Sequence, residues 1–252
     1  MKALVTITDV TRMRGQRVCI AGYLPDDTCV RLVFRWSNPT EEWLRGTEGG
    51  VIRPFAVVEC DLQERDAQPP HTEDWIIDDT YRVNRGLLSP DQQEALLTRI
   101  CDKSVESIFG AAIHQGPGWY VKEGEGVRSL GTVKPRRVWE VFYNLNEKGR
   151  WEYRLAFADQ TGQRYKLAVT DLAFRYALDY LRVREKLSSL EAAHRLTTML
   201  QQERVFLRVG LARPWEEFPD RCYLQITGVY SFPDYLEGRC FADLVLPPEE
   251  AR

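Results

Sequence analysis

The stretch 204–235 constrains the fold of this chain most. Its first part, Arg204–Leu211, alternates between apolar and other residues, and Cys222–Tyr230 resumes the same alternation after a loop bracketed by two prolines. Pro233 then ends the pairing, because proline has no N–H for a strand ladder. A strand pair that follows a long helical stretch is typical of the end of a five-stranded OB-type barrel.

The same order of elements precedes this pair and occurs twice along the chain. The first set comprises strands Arg17–Leu24, Cys29–Trp36 and Phe55–Leu62, a polar loop over 63–86, a helix from Ser89 to about Lys103, and strands Trp119–Lys122 and Ser129–Lys134. The second set comprises strands Arg137–Leu145, Trp151–Ala158 and Gln163–Val169, a helix pair over 171–202, and the strand pair. Capping boxes at Ser89–Gln92 and Ser188–Glu191 mark two helix starts.

This order predicts a mainly β protein with helices (α+β), made of two tandem OB-like five-stranded barrels. Each barrel has a helix inserted between strands 3 and 4. The first domain is predicted to span 1–135, and the second to span 136–252 with the helix pair 171–202.

Four segments resemble an uncharacterised bacterial family, the dual OB-containing domain proteins. They are LRVGLARPW (Leu207–Trp215), CYLQITGVYSFPDY (Cys222–Tyr235), RVCIAGYL (Arg17–Leu24) and HTEDWIID (His71–Asp78). The resemblance covers most of the chain and implies two OB-like barrels that bind nucleic acid or another ligand. It brings no catalytic motif with it.

Charge and cysteine use narrow the classes of function. The 252 residues carry a net charge of −3, yet residues 131–213 hold 16 basic against 9 acidic residues, a net charge of +7. The six cysteines are scattered without a C-x-x-C pair, which predicts free thiols in a reducing compartment and no zinc site. The glycines at 124–126 match no nucleotide-binding motif, so we expect no cofactor. The sequence shows neither a signal peptide nor a membrane span, so we expect a cytoplasmic protein.

The basic middle of the chain offers the candidate binding site. Where strands alternate, one set of side chains faces the core and the other faces outward. The predicted outward set combines cations with aromatic rings, as an OB-type groove for single strands requires. The nucleic-acid-binding residues predicted in this way are Phe142, Arg154, Arg164, Lys166, Phe206, Arg208 and Tyr223. Arg213, in the loop after the fourth strand, is a further candidate.

Three alternatives stay open on the sequence alone. Phe142 and Phe206 could instead be covered by the other barrel or by the helix pair. Arg213 could border a cleft or simply shape its loop. The acidic run His71–Asp79 could hold a divalent metal, since carboxylates suit Mg²⁺ and Mn²⁺, or form a solvated loop.

The sequence therefore predicts a non-enzymatic protein that binds single-stranded or structured nucleic acid through its second barrel. The alternative is a protein–protein interaction module of a larger bacterial complex, in which the same outward aromatic residues contact a partner chain. An enzyme of unknown chemistry is the third hypothesis.

Overall fold

The computed structural model describes residues 1–46 and 48–247, and its first part is a closed five-stranded barrel. The barrel consists of β1 (Lys2–Arg12), β2 (Val18–Tyr23), β3 (Cys29–Val33), β4 (Ala56–Arg65) and β5 (Asp74–Leu87), with helix α1 (Glu41–Arg45) between β3 and β4. The strands follow the order β1-β2-β3-β5-β4, and β4 pairs back onto β1. All pairs are antiparallel except β3 with β5, which is parallel.

The barrel is therefore complete by Leu87, and the predicted strand assignment of the first set needs correction. Strand 1 is β1, which comes before the first strand that we assigned. The segment 63–86, interpreted above as a polar loop, contains most of the 14-residue β5. Because β5 supplies the last barrel strand, the helix inserted between strands 3 and 4 is α1, not the helix that starts at Ser89.

A connecting segment follows and joins the second sheet rather than the first barrel. It contains α2 (Pro90–Arg99), β6 (Cys101–Asp102), α3 (Val105–Phe109), β7 (His114–Gln115), β8 (Trp119–Lys122) and β9 (Leu130–Val133). The capping box predicted at Ser89 is confirmed, with Gln92 as its partner. The two strands assigned to the end of the first barrel, β8 and β9, pair with the second sheet instead.

The second sheet repeats the strand order of the first barrel. Its elements are β10 (Arg137–Leu145), β11 (Trp151–Ala158), β12 (Arg164–Val169), α4 (Leu172–Val183), α5 (Ser189–Gln202), β13 (Arg204–Leu211) and β14 (Arg221–Phe232), followed by α6 (Phe241–Leu244). The order β10-β11-β12-β14-β13 matches β1-β2-β3-β5-β4, and β12 pairs with β14 in parallel, as β3 does with β5. The chain is thus mainly β with two OB-type strand arrangements. The division into domains at residue 135 stays a prediction.

The second sheet differs from the first barrel because its first and fourth strands, β10 and β13, do not pair with each other. Strand β13 pairs with β9 on its free side, so it does not close onto β10. Helix α5 covers the edge of β10 with side chains: Thr197 Oγ1 accepts from the Val141 amide at 2.9 Å, and Gln201 Nε2 donates to the Trp139 carbonyl at 2.9 Å. These bonds satisfy backbone groups that a neighbouring strand would otherwise pair.

A buried ion pair connects the two halves of the molecule. Arg208 on β13 is fully buried, and its Nε donates to Asp9 Oδ2 on β1 at 2.9 Å. The same guanidinium donates to Tyr23 Oη of the first barrel at 2.7 Å and to Thr132 Oγ1 of β9 at 3.0 Å. A buried charge is tolerated only when it is paired and hydrogen-bonded, which this arrangement achieves.

Candidate nucleic-acid interface

The outer side of β10, β11 and β12 brings together four of the predicted binding residues. We call this set, Phe142, Arg154, Arg164 and Lys166, the cationic face. Strand register places Phe142 opposite Arg154, and Lys166 two residues along β12 from Arg164. Intervening residues such as Val141, Leu155 and Tyr165 are buried in the core, so the predicted alternation is confirmed for these strands.

The side chains of the cationic face interact with one another as well as with solvent. The Lys166 ammonium lies 3.4 Å from the centroid of the Phe142 ring. Arg154 is 40% exposed and forms an ion pair with Glu152 at 3.3 Å, while Arg164 and Lys166 are exposed. A half-buried ring flanked by exposed cations can stack a base while the cations contact phosphates.

Phe206 and Arg208 do not belong to this surface, and their prediction as outward binding residues is wrong. Phe206 is 1% exposed and packs with Phe55 of the first barrel and with Tyr230 and Phe232 of β14. Arg208 forms the buried pair with Asp9. Both sides of β13 are covered because the first barrel packs against the side that faces away from the core of the second sheet. The alternative that the other barrel covers Phe206 is confirmed.

Arg213 and Tyr223 lie at the loop between β13 and β14. Tyr223 stacks on Trp215 with ring centroids 5.6 Å apart and an angle of 29° between the planes, and it also contacts Tyr120 and Phe218. Trp215 is 55% exposed, so this aromatic group borders solvent. The loop that joins the last two strands is one of the ligand-binding loops of OB folds, which keeps Tyr223 a candidate.

Arg213 anchors that loop to the first barrel. Its guanidinium forms an ion pair with Asp74 at the start of β5, although more than half of the Arg213 side chain is exposed. Asp74 is buried and also accepts from Arg31 Nη1 at 3.0 Å. Arg213 therefore shapes its loop, and its charge is already compensated by a carboxylate.

Part of the acidic run is buried and does not form a solvated loop. Glu73 and Asp74 are buried, and the Glu73 carboxylate accepts from the Ser129 and Leu130 amides at 2.6 and 3.0 Å. Across residues 1–46 and 48–247, no group of three metal-ligating side chains could hold an ion. These acids instead balance Arg31 and bind the connecting segment to the first barrel.

His71 belongs to the same buried group. Its Nδ1 lies 3.0 Å from Arg31 Nη1, which can only donate, so His71 Nδ1 accepts and Nε2 carries the proton. Burial, followed by the charges of Arg31 and Arg213, lowers the pKa of His71 to about 3. The histidine is therefore neutral at physiological pH.

Sequence reasoning missed Trp139 and Arg137, which lie beside the predicted residue Arg164. A β-bulge between Val138 and Glu140 displaces Trp139 from the regular alternation of β10. The guanidinium carbons of Arg137 and Arg164 lie 4.0 and 4.7 Å from the centroid of its ring. The sequence shows two arginines close to Trp139, in the run Arg136-Arg137-Val138-Trp139, but nothing in this run indicates the bulge.

The fold and this surface define a protein with two OB-type units in one chain. The family model of the dual OB-containing domain matches residues 3–229. The chain belongs to this family, as the resemblance of its C-terminal strands predicted. A comparison with curated proteins gives no match. Within the part of the chain that the structure describes, no helix has the length and apolar character needed to cross a bilayer.

Proposed function

We propose that this protein is a non-enzymatic binding module of the bacterial cytoplasm that binds single-stranded or structured nucleic acid through the cationic face. The contact between Lys166 and the Phe142 ring, with Arg154 opposite Phe142, supports the proposal most directly. An aromatic ring suited to base stacking lies beside cations suited to phosphates, on strands that OB folds use for ligands, and this arrangement supports the proposal. The net charge of +7 over residues 131–213 favours the same partner.

Fluorescence anisotropy with labelled single- and double-stranded DNA and RNA, measured across a salt series, tests this function. Replacing Arg154, Arg164 and Lys166 together with alanine should weaken binding. If each cation neutralises one phosphate of a single strand, the slope of log affinity against log salt should fall by about two units, from about 0.7 per contact. The substituted side chains are at least partly exposed, so their removal leaves no core cavity.

A matched variant removes the same charge elsewhere. Arg14, Lys103 and Lys186 are exposed and lie in other loops, so their joint replacement should leave the salt slope nearly unchanged. Equal loss in both triple variants would show that binding follows net charge and that the cationic face is misplaced. Wild-type protein that binds no nucleic acid at low salt would end the proposal.

Stacking is tested separately at Phe142. Phe142→Ala should weaken binding by about 1–3 kcal/mol with little change in salt slope, because stacking releases no counterions. A protein-interaction module is the second candidate, and it is favoured by Trp36, which is 91% exposed on the first barrel. Affinity for a partner through such an apolar contact would depend little on salt.

A further inference from the structure

A concave site lies at one end of β10, β11 and β12, next to the cationic face, with which it shares Arg164. It encloses about 330 Å³ and is lined by Arg136, Arg137, Trp139, Ala158, Gly162 and Arg164. Three of the six lining residues are arginines, and no aspartate or glutamate from the described ranges lines it. The lining of this site thus carries three positive charges and no carboxylate, while Glu203 lines a neighbouring concavity together with Arg136 and Arg137.

Two of the three arginines are positioned by contact with the Trp139 ring. Arg137 and Arg164 lie over the Trp139 ring, and stacking fixes the plane of a guanidinium while its N–H groups stay free to donate within that plane. Within residues 1–46 and 48–247, none of the three arginines forms an ion pair with an acidic side chain. By contrast, Arg204 and Arg213 of the same half are paired with carboxylates.

Trp139 provides a second observation. Its indole Nε1 is buried and has no hydrogen-bond partner among the described residues. A buried donor without an acceptor costs free energy, and native proteins rarely keep one without a reason. The β-bulge at Trp139 is the kind of irregularity that re-aims a side chain beside a functional site.

We propose that this site binds a phosphate monoester at the end of a nucleic-acid strand. The inference rests on the proposed function, because the strand itself would lie on the cationic face. Register places Arg164 opposite Ala158, the last residue of β11, and Lys166 opposite Ala156, which lies nearer the middle of that strand. A nucleic-acid strand that runs along the cationic face from Lys166 towards Arg164 reaches the three arginines at this end of the sheet.

A terminal monoester fits the site better than an internal diester does. The monoester carries a charge between −1.5 and −2 at neutral pH and three acceptor oxygens, whereas each linking phosphate carries one charge. Three arginines supply more positive charge than the monoester carries negative charge, and they offer planar pairs of donors for its oxygens. An internal phosphate also needs an open path on both sides, and here the β11–β12 turn, with Gly162, borders the site.

The test compares three versions of one labelled single-stranded oligonucleotide, with a 5′-phosphate, with a 3′-phosphate and with neither, at constant salt. One of the two phosphorylated forms should bind at least about tenfold more tightly than the unphosphorylated form, since a hydrogen bond to a charged group is worth about that factor. Arg136→Ala should remove this gain. The same variant should change the affinity for the unphosphorylated form by less than about threefold, because Arg136 lies outside the cationic face.

The outcomes separate this inference from the proposed function. Equal affinity for all three oligonucleotides, or an equal gain from a phosphate at either end, would overturn the terminal-phosphate site and leave nucleic-acid binding intact. Failure of all three to bind would refute both. A free nucleoside monophosphate that competes as strongly as the phosphorylated oligonucleotide would also overturn the inference, because the site would then recognise the phosphate without the strand.

Discussion

The buried pair of Arg208 and Asp9 makes a stability prediction that can be worked out from the structure. Replacing Arg208 with methionine keeps most of the side-chain volume but leaves the Asp9 carboxylate in the interior, where it is only 2% exposed. Thr8 and Thr227 still donate hydroxyls to that carboxylate, yet no cation remains to balance its charge. Breaking a buried pair in this way costs about 3–5 kcal/mol.

The cost should be visible in both chemical and thermal unfolding. For a chain of this size, each kcal/mol shifts Tm by about 2–4 °C, so Arg208→Met should lower Tm by about 6–20 °C. Urea unfolding followed by tryptophan fluorescence and by far-UV circular dichroism should show an earlier midpoint with an unchanged slope. Asp9→Asn combined with Arg208→Met should recover part of the loss, since the buried charge is then gone.

Arg204 on the same strand provides the control. It is paired with Glu94, but its side chain is 59% exposed, so Arg204→Met should shift the midpoint little. If Arg208→Met were as mild as Arg204→Met, or if the double variant were as unstable as the sum of both single variants, the reasoning about the buried pair would be refuted.

Three further predictions concern His71, Phe206 and the six cysteines. The contribution of His71 to stability should fall as pH drops below about 6.5, because unfolded His71 gains a proton that the folded protein excludes until about pH 3. Burial raises the pKa of Asp171 to about 7, so that carboxyl acts in the opposite direction over the same range, and it does so in the wild type and in His71→Gln alike. The difference in stability between wild type and His71→Gln should therefore change by about 2 kcal/mol between pH 7 and pH 5, as urea midpoints would show. Phe206→Ala should cost about 3–5 kcal/mol of stability and leave the nucleic-acid affinity of the folded protein nearly unchanged, which would separate its core role from that of Phe142. All six cysteines are free, so Tm should be the same with and without excess reductant; a clear shift would indicate a disulfide.

The second half of the chain was largely predictable because its strands bury one side in a local core. In β11 and β12 the apolar residues fall on alternate positions, and both the strands and the outward position of Arg154 and Lys166 follow from that pattern. The capping box at Ser188 fixed the start of α5 for a similar reason, since both of its bonds lie within four residues.

The predictions were wrong where the burial of a residue depends on a partner far away in the chain. Strand β13 is buried on both sides because Arg208 meets Asp9, 199 residues earlier, and alternation alone cannot show that contact. At the start of β5, Asp74 is buried because it pairs with Arg31, 43 residues away, so the acidic sequence gives no sign that the first residues of this strand are buried. The alternation of apolar residues along a sequence indicates which apolar side chains are buried. It cannot indicate which charged side chains are buried, because burying a charge requires a partner that lies elsewhere in the chain.

The cover that α5 places on β10 has a consequence for how the protein behaves in concentrated solution. An unpaired strand edge is a template on which another chain can add a strand and begin to polymerise. Here Thr197 and Gln201 occupy part of that edge with their own hydrogen bonds. Two side chains on one helix thus block part of an edge that closure removes altogether in the first barrel.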